Sequence, residues 1–218
     1  MSSTIKSNRI KGIMFIIASA LGFAMMSAFV KLAGDLPSFQ KVFFRNLVSA
    51  IIAFWLIIKH KGSLTGKKEN LKVLLYRSIF GTLGVIFNYY AIDKLMLSDA
   101  NMLNKMSPFL VVIFCAIALK EKINAKQIGA IIIAFIGALF IIKPTFSVEV
   151  IPYLGGIAGA VFAAMAYTCL RVLGDREDYY TIVFFFSVFS LVTVGPIAFA
   201  VYEPMTLMQL IYLLLGGV

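Results

Sequence analysis

An all-α membrane protein, a polytopic bundle of transmembrane helices, is the fold class this sequence predicts, on three observations. Hydrophobic residues are 61% of the 218 residues and mean hydropathy is +0.95. Charged residues are 14%, against about 25% in soluble domains, which leaves too little polar surface to coat a soluble globule. Eight apolar stretches recur along the chain with short loops between them.

Two stretches, 12–30 and 150–170, carry no charge and match the about 20 residues needed to cross a bilayer. Fainter spans follow at 38–58, 71–92, 98–119, 125–142 and 179–202, and a last one starts at about 205. Backbone groups in hydrocarbon must be satisfied internally, so each span is expected to be a helix. Barrel strands would alternate polar and apolar residues, and runs such as Phe184-Phe185-Phe186 do not. The first span lacks a small-residue cleavage site and is expected to remain as a membrane helix.

Charge orients the bundle. With the N-terminus in the cytoplasm, inner segments hold fourteen basic residues, Arg77 among them, and outer segments hold four: Lys31, Lys41, Lys94 and Lys143. Arg45 and Lys105 lie inside spans. That bias is the positive-inside pattern and predicts a plasma (inner) membrane protein with a cytoplasmic N-terminus. The net charge of +10 is thereby explained by topology, and no basic patch interleaved with aromatics argues for nucleic acid. Cys115 and Cys169 fall within spans without a partner motif, so packing is expected of them rather than metal binding or a disulfide.

A shift of 140 positions aligns Ala24-Met25 with Ala164-Met165, Gly34-Asp35 with Gly174-Asp175, Lys31 with Arg171 and Phe44 with Phe184. A unit of five helices is odd, so the second copy enters the membrane upside down. Inverted repeats of this kind build many secondary transporters, with the substrate site between them near the midplane. The expected organisation is a cytoplasmic tail at 1–11, a first five-helix repeat at 12–144 and an incomplete second repeat at 150–218 holding helices 6–8. About eight of an expected ten helices are then present, and a fragment or truncated product is expected.

An ordered series of short motifs adds a resemblance. Tyr89-Tyr90-Ala91-Ile92, Leu97-Ser98-Asp99-Ala100, Asn104-Lys105-Met106-Ser107-Pro108, Leu119-Lys120-Glu121-Lys122-Ile123, Gly137 and Lys143-Pro144 resemble the EamA-type branch of the drug/metabolite transporter superfamily. The resemblance implies ten helices in two inverted repeats and the movement of amino acids, nucleobases or other small metabolites. Glu121 matches the signature acid, where a local ion pair at the interface is expected.

Lys105 is the first candidate for substrate binding. It lies about 10 Å below the outer end of its helix at 1.5 Å per residue, where an ammonium costs on the order of 3 kcal/mol unless it faces protein or water. A cavity cation that attracts an anionic solute and a snorkelling anchor both fit. Asn101 and Asn104 flank Lys105, and Asn101, one turn away, makes a polar stripe with it on one face. Arg45 could clamp a carboxylate or phosphate bidentately or pair with Asp35, Asp93 or Asp99, the pairing being favoured. Asp99 is expected to cap its helix. Asn88, Tyr89 and Tyr90 suit either an interfacial belt or contacts to a solute. Tyr167 and Thr168 are candidates to complete the cavity from the second repeat. Pro108 is expected to kink the fourth span and free backbone carbonyls. The small residues Gly155, Gly156, Gly159, Ala160, Ala163 and Ala164 are expected to let the sixth span approach its neighbours closely.

Enzyme function is not expected: the sole histidine, His60, lies in a basic loop, and no HExxH, GxSxG or P-loop occurs. The reading is a secondary, non-ATP transporter of a small organic metabolite such as an amino acid, the alternative being a truncated, non-transporting membrane protein or assembly partner. No cofactor is called for. The expected partners are a small-molecule solute and the lipid bilayer, with a homodimer left open.

Overall fold

The computed structural model describes residues 2–119, 124, 128–129, 131–133, 136–137 and 150–217. The span at 125–142 and the motif residues at 120–123 and 143–144, Glu121 included, fall largely outside the described residues. The described secondary structure is helical: α1 (Ser2–Leu32), α2 (Ser38–His60), α3 (Leu71–Lys94), α4 (Leu97–Asn104), α5 (Ser107–Leu119), α6 (Val150–Leu173), α7 (Tyr179–Ala200) and α8 (Leu207–Leu215). Six segments among the described residues, with α4 and α5 forming one, are long and apolar enough to cross a membrane. The chain is a polytopic helical membrane protein.

Helix ends follow local chemistry. Gly34 closes α1 and Gly174 follows α6, both at positive φ, +72° and +40°, a region open to glycine at no steric cost. These are the two glycines that the 140-residue shift aligns. Pro37 precedes α2, and Lys61 ends it in the left-handed region while Gly62 N–H returns to the Ile57 carbonyl at 2.9 Å. Thr206 and Gln209 form a reciprocal capping box at the start of α8.

Two ends of the bundle can be told apart by their polar contacts. At one end Lys41 pairs with Asp93, Ser38 donates to Asp93 at 2.8 Å, and Tyr153 at the start of α6 donates to Asp99 at 2.6 Å. Gln40 exchanges two 3.0 Å hydrogen bonds with the backbone of Glu203. At the other end Glu177 accepts from Lys67 N–H at 2.8 Å and from Asn70 Nδ2 at 2.7 Å, and Thr181 donates to the Ser63 carbonyl at 2.7 Å. The C-terminus of α1 is at the Asp93 end, whereas that of α6 is at the Glu177 end, so α1 and α6 run in opposite directions.

Packing pairs α3 with α6 and α2 with α7. The first pair is close because of glycine. A Cβ on Gly84 would stand 3.0 Å from Ala163 N, and one on Gly159 would stand 3.1 Å from Asn88 N. Small residues at such crossings let backbones approach where lipid supplies no hydrophobic drive. The second pair is tied by Asn46 Nδ2, which donates to Ser190 Oγ at 2.9 Å inside the bundle. Ring contacts Phe54–Phe184 and Phe43–Phe199 flank that bond.

The fourth span is broken rather than bent. Pro108 has no N–H for the Asn104 carbonyl, its i−4 partner. Ser107 Oγ donates to that carbonyl instead, at 2.8 Å. Helix α4 therefore stops at Asn104, α5 restarts at Ser107, and Lys105 and Met106 form the joint.

Candidate functional site

Close packing of α3 on α6 and the break between α4 and α5 leave a cavity of about 580 Å³, with walls from α1 through α7. Its volume lies in the usual range for small-molecule sites.

Lys105 stands on this wall, as do Asn101 and Asn104. Asn104 Nδ2 donates to Asn88 Oδ1 at 2.9 Å, which fixes the end of α4 against α3 at the depth of Asn88. Tyr89 presents a buried hydroxyl that has no hydrogen-bond partner. Tyr167 reaches the cavity from α6.

Arg45 also lines the cavity, and its Nη1 is buried without a partner. The favoured pairing with an acid is therefore corrected. Asp93 is taken by Lys41, one helical turn before Arg45 and closer to the end where Asp93 sits. Asp99 accepts from Tyr153 and Ser98. It lies in the first turn of α4, where a carboxylate suits the helix N-terminus, although the N-cap position itself is Met96.

Two candidates sit elsewhere. The Tyr90 ring packs on Gly155, where an added Cβ would meet it at 3.0 Å. Thr168 is buried toward α5, donating to the Ala164 carbonyl at 2.9 Å and accepting from Cys115. Neither forms part of the cavity wall.

Arg77 was missed as a site residue. It counts among inner basic residues in the charge reading, yet it lies within α3 and lines the cavity. Its guanidinium carbon is 4.6 Å from the centre of the Phe186 ring, within cation–π range. Its Nε and Nη1 are buried without hydrogen-bond partners. The available signal was depth: Arg77 falls six positions after Leu71, where the helix begins, with Gly81 and Gly84 following at one-turn intervals.

The wall thus carries three cations, three asparagines and two tyrosines, and no Asp or Glu among the described residues. Such a lining attracts anions and penalises cations. Among the described residues no cluster of His, Cys, Asp or Glu suits a metal ion.

Comparison with known proteins agrees with a transporter rather than an enzyme. The pseudopaline exporter of Pseudomonas aeruginosa is 31% identical over 95% of this chain and 73% of its own length. An uncharacterized transporter of Helicobacter pylori is 27% identical over 81% of the chain and 60% of its own length. Human solute carrier family 35 member G1 is 27% identical over 83% of the chain and 53% of its own length. The chain thus spans between about half and three quarters of the length of these relatives. A solved crystal structure of a protein superposes on 90% of the chain and 71% of its own, with a TM-score of 0.69 at 16% identity, a likeness of fold. The model of the EamA-like transporter family matches residues 10–143, well over half of the sequence, and the chain belongs to that family.

Proposed function

We propose that this protein is a secondary carrier of a small organic metabolite with an anionic group, an amino acid or related solute, bound in the central cavity. The observation that carries the reading is the cavity wall: Lys105, Arg45 and Arg77 face the same space, with no acid on it among the described residues. Buried guanidinium nitrogens without acceptors are costly. A carboxylate arriving from solution would satisfy them with charge-assisted bonds. Asn88, Asn101 and Asn104 offer both donors and acceptors and suit the remaining polar groups of such a solute.

Two features support alternation about this site. Helices α1 and α6 run oppositely, and the glycines that the 140-residue shift aligns, Gly34 and Gly174, both take positive φ. An inverted repeat with its site at the junction accounts for both. The relatives named as pseudopaline exporters favour outward movement as the physiological direction. With the N-terminus in the cytoplasm, the Glu177 end faces inward. A Ser63→Cys variant, in the loop at that end, should then resist impermeant thiol reagents added to intact cells, and efficient labelling from outside would reverse the orientation.

The test of function is counterflow in proteoliposomes holding the full chain, with labelled amino acids and dicarboxylates as probes. At least one anionic probe should exchange, and Lys105→Met should lower its rate ten-fold or more while the protein still inserts. Exchange of cationic probes alone, or a Lys105→Met carrier as active as the parent, would contradict the proposal.

A further inference from the structure

The cavity is longer than one charged group requires. Arg77 and Asn88 both line it, and their separation along α3 is about 16 Å at 1.5 Å per residue. The bond from Asn104 to Asn88 places the adjoining Lys105 near the Asn88 end. Arg45 adds a third cation to the same wall from α2. Cations therefore run the length of the cavity, and a solute with one carboxylate would leave the far one unmet.

The Arg77 end is built. The guanidinium lies over Phe186, and Gly81, one turn further along α3, gives it room. A Cβ on Gly81 would collide with Arg77 Nη1 and stand 2.9 Å from the Phe186 ring. The ring backs the guanidinium, while two of its nitrogens, Nε and Nη1, are buried with no hydrogen-bond partner. A guanidinium backed by a ring loses less freedom when it meets a planar carboxylate.

Resting on the carrier reading above, we infer that the solute is a dicarboxylate or larger polycarboxylate. One carboxylate meets Lys105 and Arg45, and a second meets Arg77 on the Phe186–Gly81 seat. Arg77 is then a specificity-determining residue that selects two-headed solutes over one-headed ones. Gly81 and Phe186 are positioning residues that act through it.

The experiment compares straight-chain α,ω-dicarboxylates, from succinate to sebacate, with monocarboxylates of equal carbon number. Binding to the purified full chain is read by thermal shift at constant ionic strength. At one preferred chain length the dicarboxylate should bind at least ten-fold more tightly than its monocarboxylate. Arg77→Gln should bring that ratio close to one, and Gly81→Ala should lower it at least three-fold. Arg77→Lys, which keeps the charge, should give an intermediate ratio, and the Arg77 variants are compared only as monodisperse protein. A ratio near one in the parent protein, with both acids sensitive to Lys105→Met, would overturn the two-headed solute and leave the single-anion carrier standing. A ratio that survives Arg77→Gln would overturn the role of Arg77. Failure of every acid to bind would overturn both readings.

Discussion

Lys41 and Arg45 are one turn apart on α2, and their surroundings are opposite. Lys41 is fully buried, pairs with Asp93, and donates to the Gly34 carbonyl at 2.6 Å and the Val30 carbonyl at 3.4 Å. Asp93 is held in turn by Ser38. Lys31 beside them reaches the Ile92 carbonyl at 2.7 Å and the Leu95 carbonyl at 3.2 Å. Arg45 has a buried nitrogen with no acceptor and faces a cavity. Both are cations within the span of α2, where charge is expensive. The satisfied one joins α1, α2 and α3 at one end of the bundle. The unsatisfied one has a space beside it for something that comes and goes. In this bundle, completeness of partnering separates a cation that holds the fold from one available to a solute.

The largest effect that can break this contrast is expected from Lys41→Met. It strands a mostly buried Asp93, and losing one partner of a buried pair costs about 3–5 kcal/mol. Thermal unfolding in detergent should show a large fall in midpoint, and adding Asp93→Asn should recover more than half of it. An unchanged midpoint would remove Lys41 from the structural class.

Lys105→Met probes the other class. The ammonium makes no hydrogen bond or ion pair among the described residues and sits at the helix joint on the cavity wall, so its loss should leave the unfolding midpoint within a degree or two. The ten-fold fall in exchange then appears without a stability loss. A matching fall in stability would blur the distinction.

Gly84→Ala tests the scaffold that separates the two ends. Its Cβ would press on the α6 backbone at Ala163, and overpacking of this kind costs about 1–3 kcal/mol. Lowered stability is expected, along with weaker solute binding, because the α3–α6 crossing forms the cavity wall. The smallest effect is expected from Ser107→Ala. It removes the donor to the Asn104 carbonyl, a loss of about 1 kcal/mol, read as a small drop in unfolding midpoint.

The sequence shows much of the fold because hydrocarbon imposes helices of fixed length. Span starts at 38, 71, 150 and 179 fall on or next to the helix starts of α2, α3, α6 and α7. An irregularity at Pro108 and the close α6 contacts at Gly155, Gly156 and Gly159 follow from residue type, although the span breaks where a kink was expected and Ser107 takes the Asn104 carbonyl that was expected to be free. Lys105, Arg45, Asn88, Asn101 and Asn104 were legible as candidates, but snorkelling, an acid partner or an interfacial belt fitted several of them equally well in sequence. What the sequence does not carry is helix rotation and which cation takes which acid. Tyr89 and Tyr90 are neighbours in sequence, yet about 100° apart around the helix, and only Tyr89 meets the cavity. Thr168 is next to Tyr167 and turns away for the same reason. Sequence alone offers Asp93 to either Arg45 or Lys41, and the one turn nearer the helix end decides for Lys41. Arg77 was absorbed into the charge bias because topology counting asks on which side of the membrane a cation lies, not whether it is buried.

The most direct test of the contrast on α2 is the unfolding midpoint of Arg45→Gln, measured without solute beside that of the parent protein. Replacing a guanidinium that has a buried nitrogen and no acceptor should leave the midpoint unchanged or raise it, since the desolvation cost is removed and no partner is stranded. A fall as large as that of Lys41→Met would contradict this, placing Arg45 among the residues that hold the bundle together rather than those that await a solute.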